Sequence, residues 1–440
     1  MVSEKIEIGA EAELRNIIKL KILDGKKIYA MGNVANIAKL DTILKEYNKS
    51  IMAIVDNDQK KAGIYKVDDV NYKIITMEDF LKQEKEQIIM LIYSVRFWLE
   101  MKEQMLKLGL RDQENLFVLE ELTLDKKRKY VQLGYNLLKK YKQKYGDDVY
   151  ILVFYGPIGD NFLFAGYLER YLEKNEITNY VCLGNKITEK VLKIYRCEKF
   201  ERISMEEMLA LEYLYMFLGD DINCIKILQI WEFCFHFNRS RMRLEERFDF
   251  SDTYRHYIYN LDACDTLKHP EFIKNEEKIK NEFEKKLLLK DNTVIISPYA
   301  YSIWQQPPRE FWLILAEKLV KKGKRIAVNI NPQLEENFIT ESEELFFSLE
   351  ESVSYLEYAG NFIGMRSGFC DVISSAKCKK IILYPERITK EIDLDRHRPD
   401  MDFGSLKRMK LTDEAVEIEF NYQENMDYWE QMAEKIVSEI

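Results

Sequence analysis

Eight prolines and 17 glycines in 440 residues leave little material for long unstructured linkers. The seven cysteines form no CxxC pair and no zinc-type spacing, and their odd, scattered count reads as reduced thiols rather than a disulfide framework. No stretch approaches the roughly 18 consecutive apolar residues needed to span a bilayer. The amino end, MVSEKIEIGAEAELRN, lacks the apolar core of a signal peptide, so a cytoplasmic protein is expected. Basic excess is missing as well: the net charge is −9, which argues against general nucleic-acid binding. What is present is the composition of a soluble globular protein, 47% apolar and 32% charged, at a length that suggests about three domains.

The order of segments supports that division. KKIYAMG, SIMAIVDND, YKIIT, QIIMLIYS and NLFVL are short apolar runs separated by helix-like stretches, the alternation of a parallel α/β sheet. Residues 121–147 turn charged and read as a connector helix whose basic face is solvated. A second α/β segment spans 148–290, and a third, opening at NTVIISPYAYS, spans 291–440 with a terminal helix. The predicted fold class is α/β, with three Rossmann-like parallel-sheet domains: residues 1–120, 148–290 and 291–440.

One stretch draws the eye. FYGPIGDNFLF follows the strand-like DVYILVFY and opens an amphipathic helix, so strand, glycine turn and helix make half of a βαβ unit. Ligands gather at the carboxyl ends of strands in such sheets. Asp160 therefore stands where a catalytic or ligand-binding group would stand, and a helix-capping Asp would look the same.

Residues 148–440 resemble GT-B glycosyltransferases, in particular the heptosyltransferase-like group. The resemblance rests on three patches in order: GPIGDNFLFAGYLERYLEKN, VIISPYAYSIWQQPPREFWLILAEKLVKKGKRIAV and NFIGMRSGFCDVISSAKCKKIILYP. The last two domains would then form a GT-B pair. The chain departs from the group's pattern in having Arg366 where an Asp precedes Ser/Thr-Gly, and Asp371 where a His is usual. An Arg-Ser-Gly turn is closer to GT-B branches that hold a diphosphate with Arg, so a true heptosyltransferase is not expected.

The resemblance implies transfer of a sugar from a nucleotide-sugar donor to a glycan or lipid-linked hydroxyl acceptor, with inversion. Such transfer would serve bacterial surface polysaccharide or glycoconjugate synthesis. Asp160 would be the general base, its pKa raised by partial desolvation in an interdomain cleft. Arg366, with Ser367, Gly368 and Asp371 in the turn that heads a helix, would meet the donor diphosphate. Ser297 and Tyr299 would add hydroxyls or amides. Pro385, Glu386 and Arg387 are candidates for the ribose or base. Arg239, Arg241 and Arg243 alternate along FNRSRMRLEERF and suit either an anionic acceptor or an exposed charged segment. Four dispersed histidines and no DxD pair at a strand end point to no metal and no cofactor. Peripheral membrane contact and oligomer formation stay open.

In the first domain, Gly32 is a lone loop glycine, so the GxGxxG dinucleotide fingerprint is missing. Asp56 closes a second strand where ribose hydroxyls are read in nucleotide-binding folds. The segment resembles small Rossmann domains beside bacterial sugar-modifying enzymes, and either nucleotide binding or assembly fits it. Two rivals stand beside the transferase: a non-catalytic nucleotide-sugar-binding or assembly protein of the same fold, and an oxidoreductase or epimerase, against which the missing fingerprint and the missing YxxxK pair speak.

Overall fold

The computed structural model describes residues 9–67, 70–94, 97–119, 124–218, 224–228, 249–300, 306–331, 335–385, 401–421 and 425–440. The chain divides into two compact units, residues 1–138 with 209–218 and residues 139–208 with 219–440.

The first unit holds a six-stranded sheet. Its strands are β1 (Lys27–Gly32), β2 (Ile51–Asp56), β3 (Gly63–Val67), β4 (Val70–Thr76), β5 (Ile88–Tyr93) and β6 (Leu116–Val118), in the spatial order β3-β4-β2-β1-β5-β6. All pairs are parallel except β3 with β4. Alternate residues of β1 serve two cores, as the pleat dictates. Ile28 packs with Leu14, Ile17 and Leu40 of helices α1 (Ala10–Lys19) and α2 (Val34–Glu46). Tyr29 and Met31 pack on the other side with Phe80 of α3 (Met77–Leu81) and Met105 of α4 (Trp98–Lys107). The hairpin strand β3 is absent from the sequence reading, because four of its five residues are exposed and give no burial pattern.

Helix α5 (Leu124–Tyr145) occupies the stretch read as a connector. Its first part belongs to this unit and packs on the end of α8 (Met205–Leu218), where Tyr130 stacks on Tyr213 with ring centroids 5.4 Å apart. The approach is close enough that a Cβ on Gly134 would lie 2.2 Å from the Ala210 carbonyl oxygen.

The second unit contains two parallel sheets. One has the order β10-β7-β8-β9, from β7 (Tyr150–Val153), β8 (Tyr180–Gly184), β9 (Phe200–Arg202) and β10 (Ile225–Ile227). Helices α6 (Ile158–Lys174) and α7 (Lys186–Ile194) connect its first strands, and an Asn185–Thr188 capping box starts α7. The other has the order β13-β12-β11-β14-β15-β16, from β11 (Thr293–Ser297), β12 (Arg325–Asn329), β13 (Glu343–Leu345), β14 (Gly360–Met365), β15 (Lys379–Pro385) and β16 (Val416–Phe420). That is the doubly wound order, reversing between β11 and β14, with every pair parallel. Helices α9 (Glu276–Lys285), α10 (Arg309–Lys321), α11 (Ser352–Ala359), α12 (Gly368–Val372) and α13 (Met426–Glu439) surround it.

Burial on both faces explains the continuous apolar run VIIS. Val294 and Ile296 face Phe311, Trp312 and Leu315 of α10, while Ile295 faces the side of Tyr355 and Leu356. One hydrophobic core runs without a break from Phe154, Phe162 and Phe164 beside the first of these sheets to Ile295, Phe362 and Ile382 in the second. The α/β class with three parallel-dominated sheets is therefore what the chain adopts, with β3 the one antiparallel strand described.

Candidate active site

Beyond Val153 the turn Phe154–Pro157 leads into α6. Buried Asn161 clamps that turn, its amide donating to the carbonyls of Gly156 and Pro157, the latter at 2.8 Å. Asp160 is the third residue of α6, half-buried, where a carboxylate complements the positive end of the helix. The N-cap position belongs to Pro157 and makes no side-chain cap bond, so Asp160 is not the capping residue of the alternative reading. Tyr254 instead donates its hydroxyl to Asp160 Oδ1 at 2.9 Å. That tyrosine is buried on the helical turn Phe250–Ile258, braced by Phe154 and Phe250 with ring centroids at 6.3 and 5.8 Å.

On the other sheet, β14 ends at Met365 and the ladder extends one residue further, with Arg366 N donating to Leu383 O at 2.9 Å. The Arg366 side chain turns inward. It is 2% exposed and Asp371 is 1% exposed. Nη2 and Nη1 donate to the two Asp371 oxygens at 2.6 and 3.1 Å, a bidentate pair. Nε donates to Gly404 O at 2.8 Å, and Nη1 also donates to Ser367 O. Burial is the largest single influence and works against the guanidinium charge, but Asp371 with neighbouring Tyr384 and Cys370 together hold Arg366 above the ordinary arginine value. Burial pushes the Asp371 carboxyl up to about 6 against the pull of Arg366, and the nearby charge of Asp160 adds to the rise.

The two halves of the site meet at their helix starts. A Cβ on Gly368 would lie 2.3 Å from Gly159 N, and one on Gly159 would lie 2.5 Å from Asp371 Oδ2. Only glycine on each side permits that approach. Two positive helix ends face one another here, and the Asp160 carboxylate in the first turn of α6 supplies compensating negative charge, that of Asp371 being taken up by Arg366. Helix α12 has five residues, so its own dipole is short.

Solved structures similar to the chain are glycosyltransferases. The E. coli ADP-heptose LPS heptosyltransferase II is 13% identical, with 66% of this chain and 97% of that one covered and a TM-score of 0.44. A glycosyl transferase family 9 protein of Veillonella parvula is 13% identical over 66% of this chain and 88% of that one, with a TM-score of 0.42. The bacterial iron-containing dodecameric glycosyltransferase TibC from enterotoxigenic E. coli is 13% identical over 53% of this chain and 57% of its own length, with a TM-score of 0.37. No protein-family model and no curated protein matches the chain.

The residues picked out in the sequence have different fates. Asp160, Arg366, Ser367, Gly368 and Asp371 come together where β7 and β14 end. Buried Ser297 pairs with Gly364 in the β11–β14 ladder and so lies on the same carboxyl edge. Tyr299 donates its hydroxyl to Glu336 O and sets its ring edge-on to Phe338. The expectation that Arg366 presents an open guanidinium to a diphosphate does not match its geometry, which is that of an internal ion pair. Pro385 is buried at the end of β15. Arg239, Arg241, Arg243, Glu386 and Arg387 lie outside the described residues.

In the first unit Gly32 ends β1 beside Tyr93 of β5. Asp56 serves its own loop, accepting from Asp58 N at 2.9 Å and Lys61 Nζ at 3.1 Å. Among the described residues no group of three or more His, Cys, Asp and Glu is placed to hold a metal, and no helix is long and apolar enough to cross a membrane. Tyr254 is the site residue that sequence reasoning missed. It stands 94 positions from its partner and reads locally as one more core aromatic.

Proposed function

We propose that the chain is a cytoplasmic glycosyltransferase. It transfers a sugar from a nucleotide-sugar donor to a hydroxyl of a glycan or lipid-linked acceptor, with inversion and without a metal ion, in bacterial surface polysaccharide or glycoconjugate synthesis. The observation that carries this reading is the convergence of half-buried Asp160 with the Arg366–Asp371 pair at the carboxyl ends of β7 and β14. Both strands border the reversal of strand order in their sheets, the place where doubly wound folds bind ligands.

Asp160, oriented by Tyr254, takes the proton of the acceptor hydroxyl. The oxygen bonds to the anomeric carbon as the bond to the diphosphate breaks on the opposite face. The leaving diphosphate needs positive charge, and Arg366 supplies it by exchanging the Asp371 carboxylate for the phosphate as the starts of α6 and α12 part. Ser367, Gly368 and Ser297 line the same edge.

A second reading has its own support. Arg366 and Asp371 neutralise each other inside the protein, and the Gly159–Gly368 contact fills the approach between them, as befits a nucleotide-sugar-binding or assembly protein without turnover. Thermal-shift measurements with ADP-, GDP-, UDP- and CDP-sugars, followed by release of nucleoside diphosphate from the stabilising donor, separate the two. Stabilisation with release supports the transferase, stabilisation without release across an acceptor panel supports the second reading, and no shift with any donor removes both.

A further inference from the structure

Besides Asp371, Arg366 has a second fixed partner. Its Nε donates to the Gly404 carbonyl at 2.8 Å, and Gly404 closes the short helical turn Met401–Gly404 ahead of buried Ser405 and Leu406. One carboxylate holds this stretch by three bonds. Glu417 of β16 accepts from Leu406 N at 2.7 Å, from the Ser405 hydroxyl at 2.6 Å and from the Tyr384 hydroxyl of β15 at 2.5 Å. The Tyr384 oxygen also stands 3.2 Å from the Gly404 carbonyl oxygen and 3.3 Å from Leu406 N. Burial holds that phenol well above its ordinary value, so it stays a donor. Phe403, in the same turn, sets its ring 5.5 Å from that of Phe250, the residue that braces Tyr254. The alternation in VEIEF reads as an edge strand with Glu417 turned to water, yet Glu417 is half-buried and its three partners are all buried.

We propose that Glu417 is the positioning residue of the Arg366 guanidinium, fixing the Gly404 carbonyl as the pivot from which the guanidinium fork meets a donor diphosphate. The inference rests on the transferase reading, in which the Nη groups exchange Asp371 for phosphate. During that exchange the bonds to Asp371 are gone, and those that persist are Nε to Gly404 O and Nη1 to Ser367 O. A guanidinium is planar, so a fixed Nε–H fixes the plane in which the remaining donors lie. Bidentate capture of a phosphate depends on that plane. An arginine released from its carboxylate and left without a pivot would sample several rotamers, and ordering it at each binding event lowers affinity. Glu417 does not meet the ligand in this arrangement; it acts through Leu406, Ser405 and Gly404. Removing it takes the acceptor from a buried backbone N–H and two buried hydroxyls at once.

The test reads Arg366 directly in the full chain. Exchange of its Nε–H with solvent is followed by heteronuclear NMR, the signal being assigned by its loss in Arg366→Lys. Wild-type protein should show slow exchange, as a buried donor on a fixed carbonyl requires. Glu417→Ala should speed it by about tenfold, and Glu417→Gln, whose amide still offers an oxygen to Leu406 N, should bring it back to within about threefold of wild type. Tyr384→Phe cuts the same anchor from β15 and should move the rate in the same direction, so it carries the test if Glu417→Ala does not fold. Calorimetry with whichever of the ADP-, GDP-, UDP- and CDP-sugars stabilises wild type should show donor affinity falling in the same order. An Arg366 exchange rate unchanged in Glu417→Ala and Tyr384→Phe, however far Tm drops, overturns the proposal, and so does faster exchange with unaltered donor affinity. A wild type that binds none of the donors defeats the transferase reading alone, and the exchange rates still decide whether Glu417 positions Arg366.

Discussion

Removing one member of the Arg366–Asp371 pair should damage the second unit far more than removing both. The pair is bidentate at 2.6 and 3.1 Å and both side chains are all but sealed from solvent, so either single change leaves an uncompensated charge in the interior. Asp371→Asn and Arg366→Met should each cost about 3–5 kcal/mol, whereas Arg366→Met/Asp371→Leu should cost about 1 kcal/mol or less. For a unit of about 290 residues with an unfolding entropy of about 2 cal/mol/K per residue, each single loss lowers Tm by about 5–8 °C. Urea unfolding followed by circular dichroism gives all four corners of the double-mutant cycle. The Arg366→Met penalty should also shrink from pH 7 to pH 5, since the orphaned Asp371 can then take a proton and shed its charge. If both singles cost under 1 kcal/mol and the double equals their sum, the pair is not the buried charge couple described here.

Asp160→Asn should lower the transfer rate by about 10²–10⁴ and leave donor affinity unchanged, read from steady-state kinetics beside calorimetry; full turnover in the variant removes the base assignment. Gly368→Ala forces a methyl to within 2.3 Å of Gly159 N and should cost about 1–3 kcal/mol in the unfolding free energy, and an unaltered Tm would show that the contact yields freely. Burial raises both Asp371 and Asp249 to about 6, so the native state holds more protons than the unfolded chain between about pH 4 and pH 6. The stability these two groups contribute is therefore present at low pH and lost as pH rises through 6. Comparing the pH slopes of wild type and Asp371→Asn isolates the share of Asp371, and parallel curves would contradict it.

The sheets were legible because their strands are buried on both faces and read as unbroken apolar runs; VIIS and KKIILYP need no partner to be recognised. β3 escaped because an exposed edge strand has no such run, and the three-residue β13 is too short to show a period. Asp160 was legible from its place after a strand and a glycine turn. Its bond to Tyr254 was not, since nothing local distinguishes that tyrosine from its aromatic neighbours. The role of Arg366 turned on direction: a sequence gives the residue after β14 but not whether its side chain points out toward a ligand or back toward Asp371 five positions later. Gly159 and Gly368 show the same limit, each an ordinary turn glycine until the other is seen against it.

The packing of Gly134 and Tyr130 on Ala210 and Tyr213 imposes an order on synthesis. A ribosome that has finished the first 138 residues must still make about 80 more before the helix that fills this groove emerges, about 4–16 s at ordinary elongation rates. Until then the nascent amino-terminal portion carries an unfilled notch, and a gene truncated after its first sheet would carry it permanently.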